Sequence, residues 1–233
     1  MASYEPVRID VDDVPGLLFA SPNVDGPLPL VLFGHGAHSG KDDPIMQTLV
    51  RAFARALPAA VLVIDCPGHG ERRPEHEVEY LEGVERNMAD ASVHHQLARE
   101  WTAAAAAART IETRIDDRTA YIGFSMGSIF GASIVQDLPF VGPVVLALGG
   151  FVGPGRLEGA NDLIDSGLRA LGDREVLMVN MTRDESFPFV DALRAFELVP
   201  GPKRMFVYEG GHIDIPGEAV RLAGQFLQRA LAR

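Results

Sequence analysis

The 233-residue chain predicts an α/β fold, with a mostly parallel sheet of about eight strands covered by helices on both faces. Three observations carry this. Six apolar runs of strand length, each ended by glycine or polar residues, read as strands buried on both faces. Longer stretches with helical spacing separate them, the alternation that builds a parallel sheet through crossover connections. No linker rich in proline, serine or glycine and no internal repeat divides the chain, so residues 1–233 are expected to form a single domain.

The elements follow in order. "VRIDVDD" and "PGLLFAS" alternate as an opening hairpin, with Pro15-Gly16 near its turn. "PLVLFG" is the first buried strand, followed by the helical pattern "DPIMQTLVRAFARAL". "AAVLVID" comes next, then a charged stretch from Glu71 to Ser92, then the long pattern "SVHHQLAREWTAAAAAARTIETRI". Its run from Ala103 to Ala108 consists of the best helix former. "TAYIGF" leads into "MGSIFGASIVQDL", "VVLALGG" into "LEGANDLIDSGLRALG", "EVLMVNM" into "FPFVDALRAFEL", and "KRMFVYEG" into "GEAVRLAGQFLQRALAR".

Composition excludes several functions. A formal charge of -11 leaves no basic face for nucleic acid or an anionic membrane. Cys66 is the single cysteine, so an intrachain disulfide is impossible. "MASYEPVRIDVDD" is acidic and lacks the apolar core of a signal peptide, and no apolar stretch is long enough to cross a bilayer. A cytoplasmic protein is expected. The sequon Asn180-Met181-Thr182 ends an apolar run, where a glycan would be buried.

In such sheets ligands bind beyond the carboxyl ends of the strands. After "PLVLFG" stands His35-Gly36-Ala37-His38-Ser39-Gly40-Lys41, and after "AAVLVID" stands Cys66-Pro67-Gly68-His69-Gly70-Glu71-Arg72-Arg73. "TAYIGF" runs into Ser125 within Gly123-Phe124-Ser125-Met126-Gly127. "EVLMVNM" is followed by Thr182-Arg183-Asp184-Glu185, and "KRMFVYEGG" by His212. A hydroxyl is a poor nucleophile near neutral pH and needs a base, which needs an orienting carboxylate. Ser125, His212 and Asp184 are the candidates for those parts.

This order of strand, Gly-x-Ser-x-Gly, helix, acid and histidine resembles the α/β-hydrolase superfamily with its nucleophile elbow. "FGHGAHSGK", "DCPGHGERR" and "DDRTAYIGFSMG" further resemble small bacterial serine esterases of the dienelactone-hydrolase-like and prolyl-oligopeptidase-like type. The likeness runs from about Leu30 to the end of the chain and implies an α/β-hydrolase fold with a minimal cap. It implies Ser125 as nucleophile, His212 as base and no cofactor. The acid often lies in Gly-x-x-Asp-x-x-Val-Pro. Here Met181 replaces the glycine while Asp184 and Pro188 remain, so Asp184 is favoured over Glu185. An elbow also presents the Met126 N–H at a helix start, where a negative oxygen is favoured. By resemblance the second oxyanion donor is the N–H of Ala37, with that of His38 as the alternative.

The implied activity is hydrolysis of a small-molecule carboxylic ester through an acyl-enzyme, with thioesters and amides left open by the shared chemistry. A receptor built on the same fold and a lyase or cyclase are the rival readings. His35 is expected to hold its loop, and Lys41-Asp42-Asp43 to cap a helix starting near Pro44. His69 and Arg72-Arg73 are placed at the rim of the site, Arg72 as a substrate contact. His94-His95 would point to different helix faces, and His35 and His38 lack a carboxylate or cysteine at ligand spacing, so no metal is expected. No strand leads into a phosphate-binding glycine loop.

Only about two dozen residues separate Phe151 from Arg174, enough for an ordinary crossover rather than a large cap. The longer excursion is Glu71 to Ser92, with Val78, Tyr80, Leu81, Val84 and Met88 as an apolar face. A shallow site walled by that segment is expected, with His38, Arg72, Phe151, Phe187 and Met126 toward the substrate and a preference for short acyl chains. A homodimer is left open.

Overall fold

Strand periodicity sets the layers of this protein. The computed structural model describes residues 5–22, 24–153, 157 and 159–232. The strands are β1 (Val7–Val11), β2 (Val14–Ala20), β3 (Leu28–Gly34), β4 (Ala60–Ile64), β5 (Ile115–Phe124), β6 (Val144–Ala147), β7 (Val176–Met181) and β8 (Lys203–Tyr208). They form one sheet in the order β1-β2-β4-β3-β5-β6-β7-β8. β1 pairs antiparallel with β2, and β2 with β4; every later pairing is parallel. The carboxyl ends of β3 to β8 therefore share one edge.

The opening hairpin forms, but its turn is elsewhere than expected. Val11 pairs with Val14, so Asp12-Asp13 make the turn and Pro15-Gly16 lie inside β2. Asp12 turns the chain at φ 53, a left-handed conformation that aspartate tolerates. Met1 to Tyr4, part of the stretch read for a leader, lie outside the described residues. No helix among the described residues is long and apolar enough to cross a membrane.

Successive strand side chains point to opposite faces. Leu30, Leu32, Leu62, Ile64 and Tyr121 pack on one side with α3 (Ala91–Ile111), α4 (Met126–Ile134) and α5 (Ala160–Arg169). Val31, Phe33, Val61, Val63 and Ile122 pack on the other with α1 (Pro44–Ala56) and α7 (Gly217–Leu231). The crossover helix α6 (Phe189–Leu198) joins β7 to β8. The excursion before α3 contains a helix too, α2 (Glu77–Ala89). Asp43 caps α1 by accepting from the N–H groups of Ile45 and Met46, with Pro44 in the first turn. Ala104, Ala105 and Ala108 of the alanine run are buried, because short side chains let α3 lie close to the sheet.

Tyr121 joins the centre of the sheet to the site. Its side chain occupies the space left by Gly34 and Gly131, where an added Cβ would come within 2.3 Å of the hydroxyl oxygen and 2.2 Å of a ring carbon, respectively. Its hydroxyl donates to the Gly127 carbonyl at 2.7 Å. Tyr121→Phe leaves that carbonyl buried without its donor and is expected to cost about 1 kcal/mol, lowering Tm by about 2–4 °C in a thermal melt. Asn180 of the sequon is fully buried and donates to the Gly149 carbonyl at 2.6 Å, so it is closed to a glycan.

Candidate active site

β5 ends at Phe124 and α4 begins at Met126, so Ser125 alone makes the turn. Its backbone sits at φ 53, ψ -114, which residues other than glycine rarely adopt. Two close approaches explain the flanking glycines. A Cβ at Gly123 would lie 2.1 Å from the Gly127 oxygen, and one at Gly127 would lie 2.4 Å from the Gly34 oxygen. The start of α4 is thus pressed against the ends of β5 and β3. The Ser125 N–H donates to the Ala147 carbonyl at 2.9 Å, which ties the turn to β6.

His212 follows β8, and the chain brings it to Ser125 across 87 residues. Ser125 Oγ lies 2.8 Å from His212 Nε2, and His212 Nδ1 lies 2.8 Å from Asp184 Oδ2. With the proton on Nδ1, the imidazole donates to the carboxylate and accepts from the hydroxyl. Asp184 Oδ1 accepts from the N–H groups of Ser186 at 2.8 Å and Phe187 at 2.9 Å. Burial pushes the Asp184 pKa up, but the His212 bond and these N–H groups outweigh it and hold the carboxyl below its ordinary value. Glu185 takes a separate place, accepting from the His212 backbone N–H at 3.2 Å rather than from the ring.

A cavity of about 620 Å³ opens over Ser125. Ala37 and Met126 line it beside the serine, and no side chain caps the N-terminus of α4. As the first residue of α4, Met126 has no preceding turn of helix to accept its N–H and can offer it to the cavity. His38 and Phe187 also line it; His38 turns the loop at φ 59, and the Phe187 ring lies 5.6 Å from the His212 ring. Leu81, Val84 and Met88 of α2 form a wall. Tyr80 anchors the helix and is buried, whereas Val78 points to solvent at 68% exposure and leaves the expected apolar face.

Two candidate substrate contacts are elsewhere. The Arg72 guanidinium binds the Glu100 carboxylate at 2.8 Å through both nitrogens and donates to the Asp65 carbonyl, which turns it away from the cavity. Phe151 lines a neighbouring cleft with Asp191 and Arg194, the Arg194 guanidinium lying 5.7 Å from its ring centroid. His69 is also not at the rim. It is fully buried against the rings of His35 and Tyr80, and burial, with His35 nearby, lowers its pKa to about 4.

His35 holds its loop: Nε2 accepts from the Cys66 N–H at 3.1 Å, and Nδ1 donates to the Gly36 carbonyl at 2.8 Å. Burial lowers its pKa and keeps it neutral in that role. Burial raises the Cys66 thiol, which leaves it a poor nucleophile. His94 is buried on Ser133 and Met88 while His95 is exposed on Asp137. No group of three or more His, Cys, Asp or Glu side chains among the described residues is arranged to hold a metal. The sequence reading missed Ile129, Val152, Leu157 and Ile213 in the cavity lining, and Glu82 and Glu85 with them. Ile213 had a signal, since it directly follows His212. The two glutamates were read only as part of the charged stretch from Glu71 to Ser92.

A model of the alpha/beta hydrolase family matches residues 30–229. The chain belongs to this family. Its fold is shared by a cold-adapted esterase from an Arctic intertidal metagenomic library, with a TM-score of 0.73 at 22% identity over 97% of this chain and 92% of that one. The Thermus thermophilus protein TT1662 aligns over 100% of both chains with a TM-score of 0.76 at 21% identity. A dienelactone hydrolase from Anabaena variabilis aligns over 98% of this chain and 96% of its own, with a TM-score of 0.69 at 20% identity. A comparison with curated proteins gave no match. In this alpha/beta hydrolase the sheet order, the elbow at Ser125 and the loops after β3, β7 and β8 converge on one cavity.

Proposed function

We propose that the protein is a serine hydrolase that cleaves carboxylic esters through an acyl-enzyme on Ser125. The supporting observation is the unbroken hydrogen-bond chain from Ser125 Oγ through His212 to Asp184, opening into a cavity of about 620 Å³. In this reading Ser125 Oγ attacks the acyl carbon as His212 Nε2 takes its proton. Asp184 stays ionised, fixes the ring and stabilises the imidazolium. The tetrahedral oxyanion is held by the N–H groups of Met126 and Ala37, each worth about 3 kcal/mol of barrier. His212 returns the proton to the leaving alcohol, and a water activated in the same way releases the acid. The Leu81, Val84 and Met88 wall takes a short acyl chain; efficiency that rose steadily from acetyl to dodecanoyl esters would overturn this preference.

An organophosphonate is expected to add once to the wild-type protein in intact-mass measurement and not to Ser125→Ala. An equal adduct on the variant would remove Ser125 from the role. The acid is tested by substitution. Asp184→Asn fixes the wrong tautomer and is expected to lower kcat by about 10⁴-fold. Glu185→Gln keeps an acceptor for the His212 N–H and is expected to cost less than about tenfold. A reversed order would exchange the two.

A further inference from the structure

Glu82 and Glu85 stand one helical turn apart on α2, and both line the cavity over Ser125. Both are exposed, and neither has an ion-pair or hydrogen-bond partner among the described residues. Among the described residues the cavity lining contains no lysine or arginine. The nearby cations among the described residues are engaged or face elsewhere. Arg72 is held by Glu100, and Arg73 pairs with Glu77 and covers the Tyr80 ring. Arg86 lies four residues after Glu82 but neither lines the cavity nor pairs with it. Ile213, next to His212 in sequence and 87% exposed, and Leu81 also line the cavity. The cavity thus offers apolar contacts and two negative charges that no cation among the described residues pairs with.

We propose that Glu82 and Glu85 make this a pocket for neutral and cationic esters and exclude anionic ones. The inference rests on the esterase reading of Ser125 and refines its substrate class. A carboxylate or phosphate on the acyl or alcohol part would meet like charge, with no basic partner among the described lining residues. A quaternary or protonated amine would be drawn in. Esters carrying a carboxylate, and thioesters attached to a phosphorylated carrier, fall in the excluded group. The selection is electrostatic and partly solvated, so it weakens as salt shortens the Debye length from about 10 Å at 0.1 M.

The test uses p-nitrophenyl esters of three acids of similar shape: 4-(trimethylammonio)butanoic acid, 5,5-dimethylhexanoic acid and the hemiester of glutaric acid. Spontaneous hydrolysis is subtracted, and each kcat/KM is divided by the second-order rate constant of that ester with a neutral external nucleophile such as hydroxylamine, because the glutarate carboxylate speeds its own ester's background hydrolysis. At low ionic strength the cationic ester is expected to exceed the anionic one by about tenfold, and the ratio is expected to shrink with added salt. In the Glu82→Gln/Glu85→Gln double variant the anionic ester should be cleaved faster and the cationic one more slowly. Opposite movements of two substrates cannot come from a misfolded fraction. A wild-type ratio near one, or an unchanged ratio in the double variant, overturns the proposal while turnover of the neutral ester leaves the esterase reading intact. Failure to cleave the neutral ester overturns the esterase reading, and the proposal with it.

Discussion

Ser125→Ala is expected to lower kcat on a neutral aryl ester by about 10⁶-fold, the scale of losing a nucleophile that works as a unit with its base. A second variant at the same position separates chemistry from strain. Ser125 sits at φ 53, ψ -114 in the wild-type protein, and holding a residue other than glycine there costs about 1–3 kcal/mol. Alanine keeps that strain, whereas Ser125→Gly releases it at an entropic cost of about 0.5–1 kcal/mol from the unfolded chain. Both variants should be inactive, yet the glycine variant should melt about 2–4 °C above the alanine variant. Within a helix or strand the order would be the reverse. An alanine variant as stable as the glycine one would show that the turn relaxes when the hydroxyl is removed.

Ser125, Asp184 and His212 were legible because strand ends are legible. The end of β5 and all of β7, which precede Ser125 and Asp184, are buried on both faces and read as continuous apolar runs. β8, which precedes His212, was expected to be buried likewise but is an edge strand without a buried residue, and only its apolar composition and the glycines after it marked its end. Side-chain direction has no such local signal. Arg72 follows β4 as expected, but its direction is set by Glu100, 28 residues away on α3. Phe151 follows β6 and is drawn aside by Arg194 on α6. The choice between Asp184 and Glu185 was open in the sequence because both residues are acidic and adjacent. They separate in space because Asp184 turns inward onto the N–H groups of Ser186 and Phe187, while Glu185 reaches the His212 backbone. The hairpin turn was misplaced because Pro15-Gly16 looks like a turn pair, and the two aspartates before it carry no glycine. Lys41 was read only as part of a helix-capping stretch, since its main partner lies 24 residues further on.

That partner leads to the largest stability effect. The Lys41 side chain is 1% exposed, and its ammonium lies 2.6 Å from Asp42, 3.2 Å from Asp65 and 2.5 Å from Glu71. Asp65 is fully buried and also accepts from the N–H groups of Lys41 at 2.7 Å and Glu71 at 3.0 Å. Gly70, at φ 56, leaves the space that the Asp65 carboxylate fills, since a Cβ there would lie 2.2 Å from it. The pair thus clamps the loop carrying Ala37 and His38 to the end of β4. Lys41→Met keeps most of the stem volume but leaves the Asp65 charge buried without its cation. Breaking one side of such a pair costs about 3–5 kcal/mol, a fall in Tm on the order of 10 °C. Burial works against the Lys41 charge, but the carboxylates outweigh it and raise its pKa above the ordinary lysine value. For a raised pKa the added stability is complete below the unfolded value of about 10.4 and is lost as pH rises through the folded value. Denaturant titrations should therefore show a constant gap between wild type and Lys41→Met up to about pH 10, narrowing above it. A gap that widened above about pH 10 would mean that folding lowers the Lys41 pKa rather than raising it, and would overturn this reading.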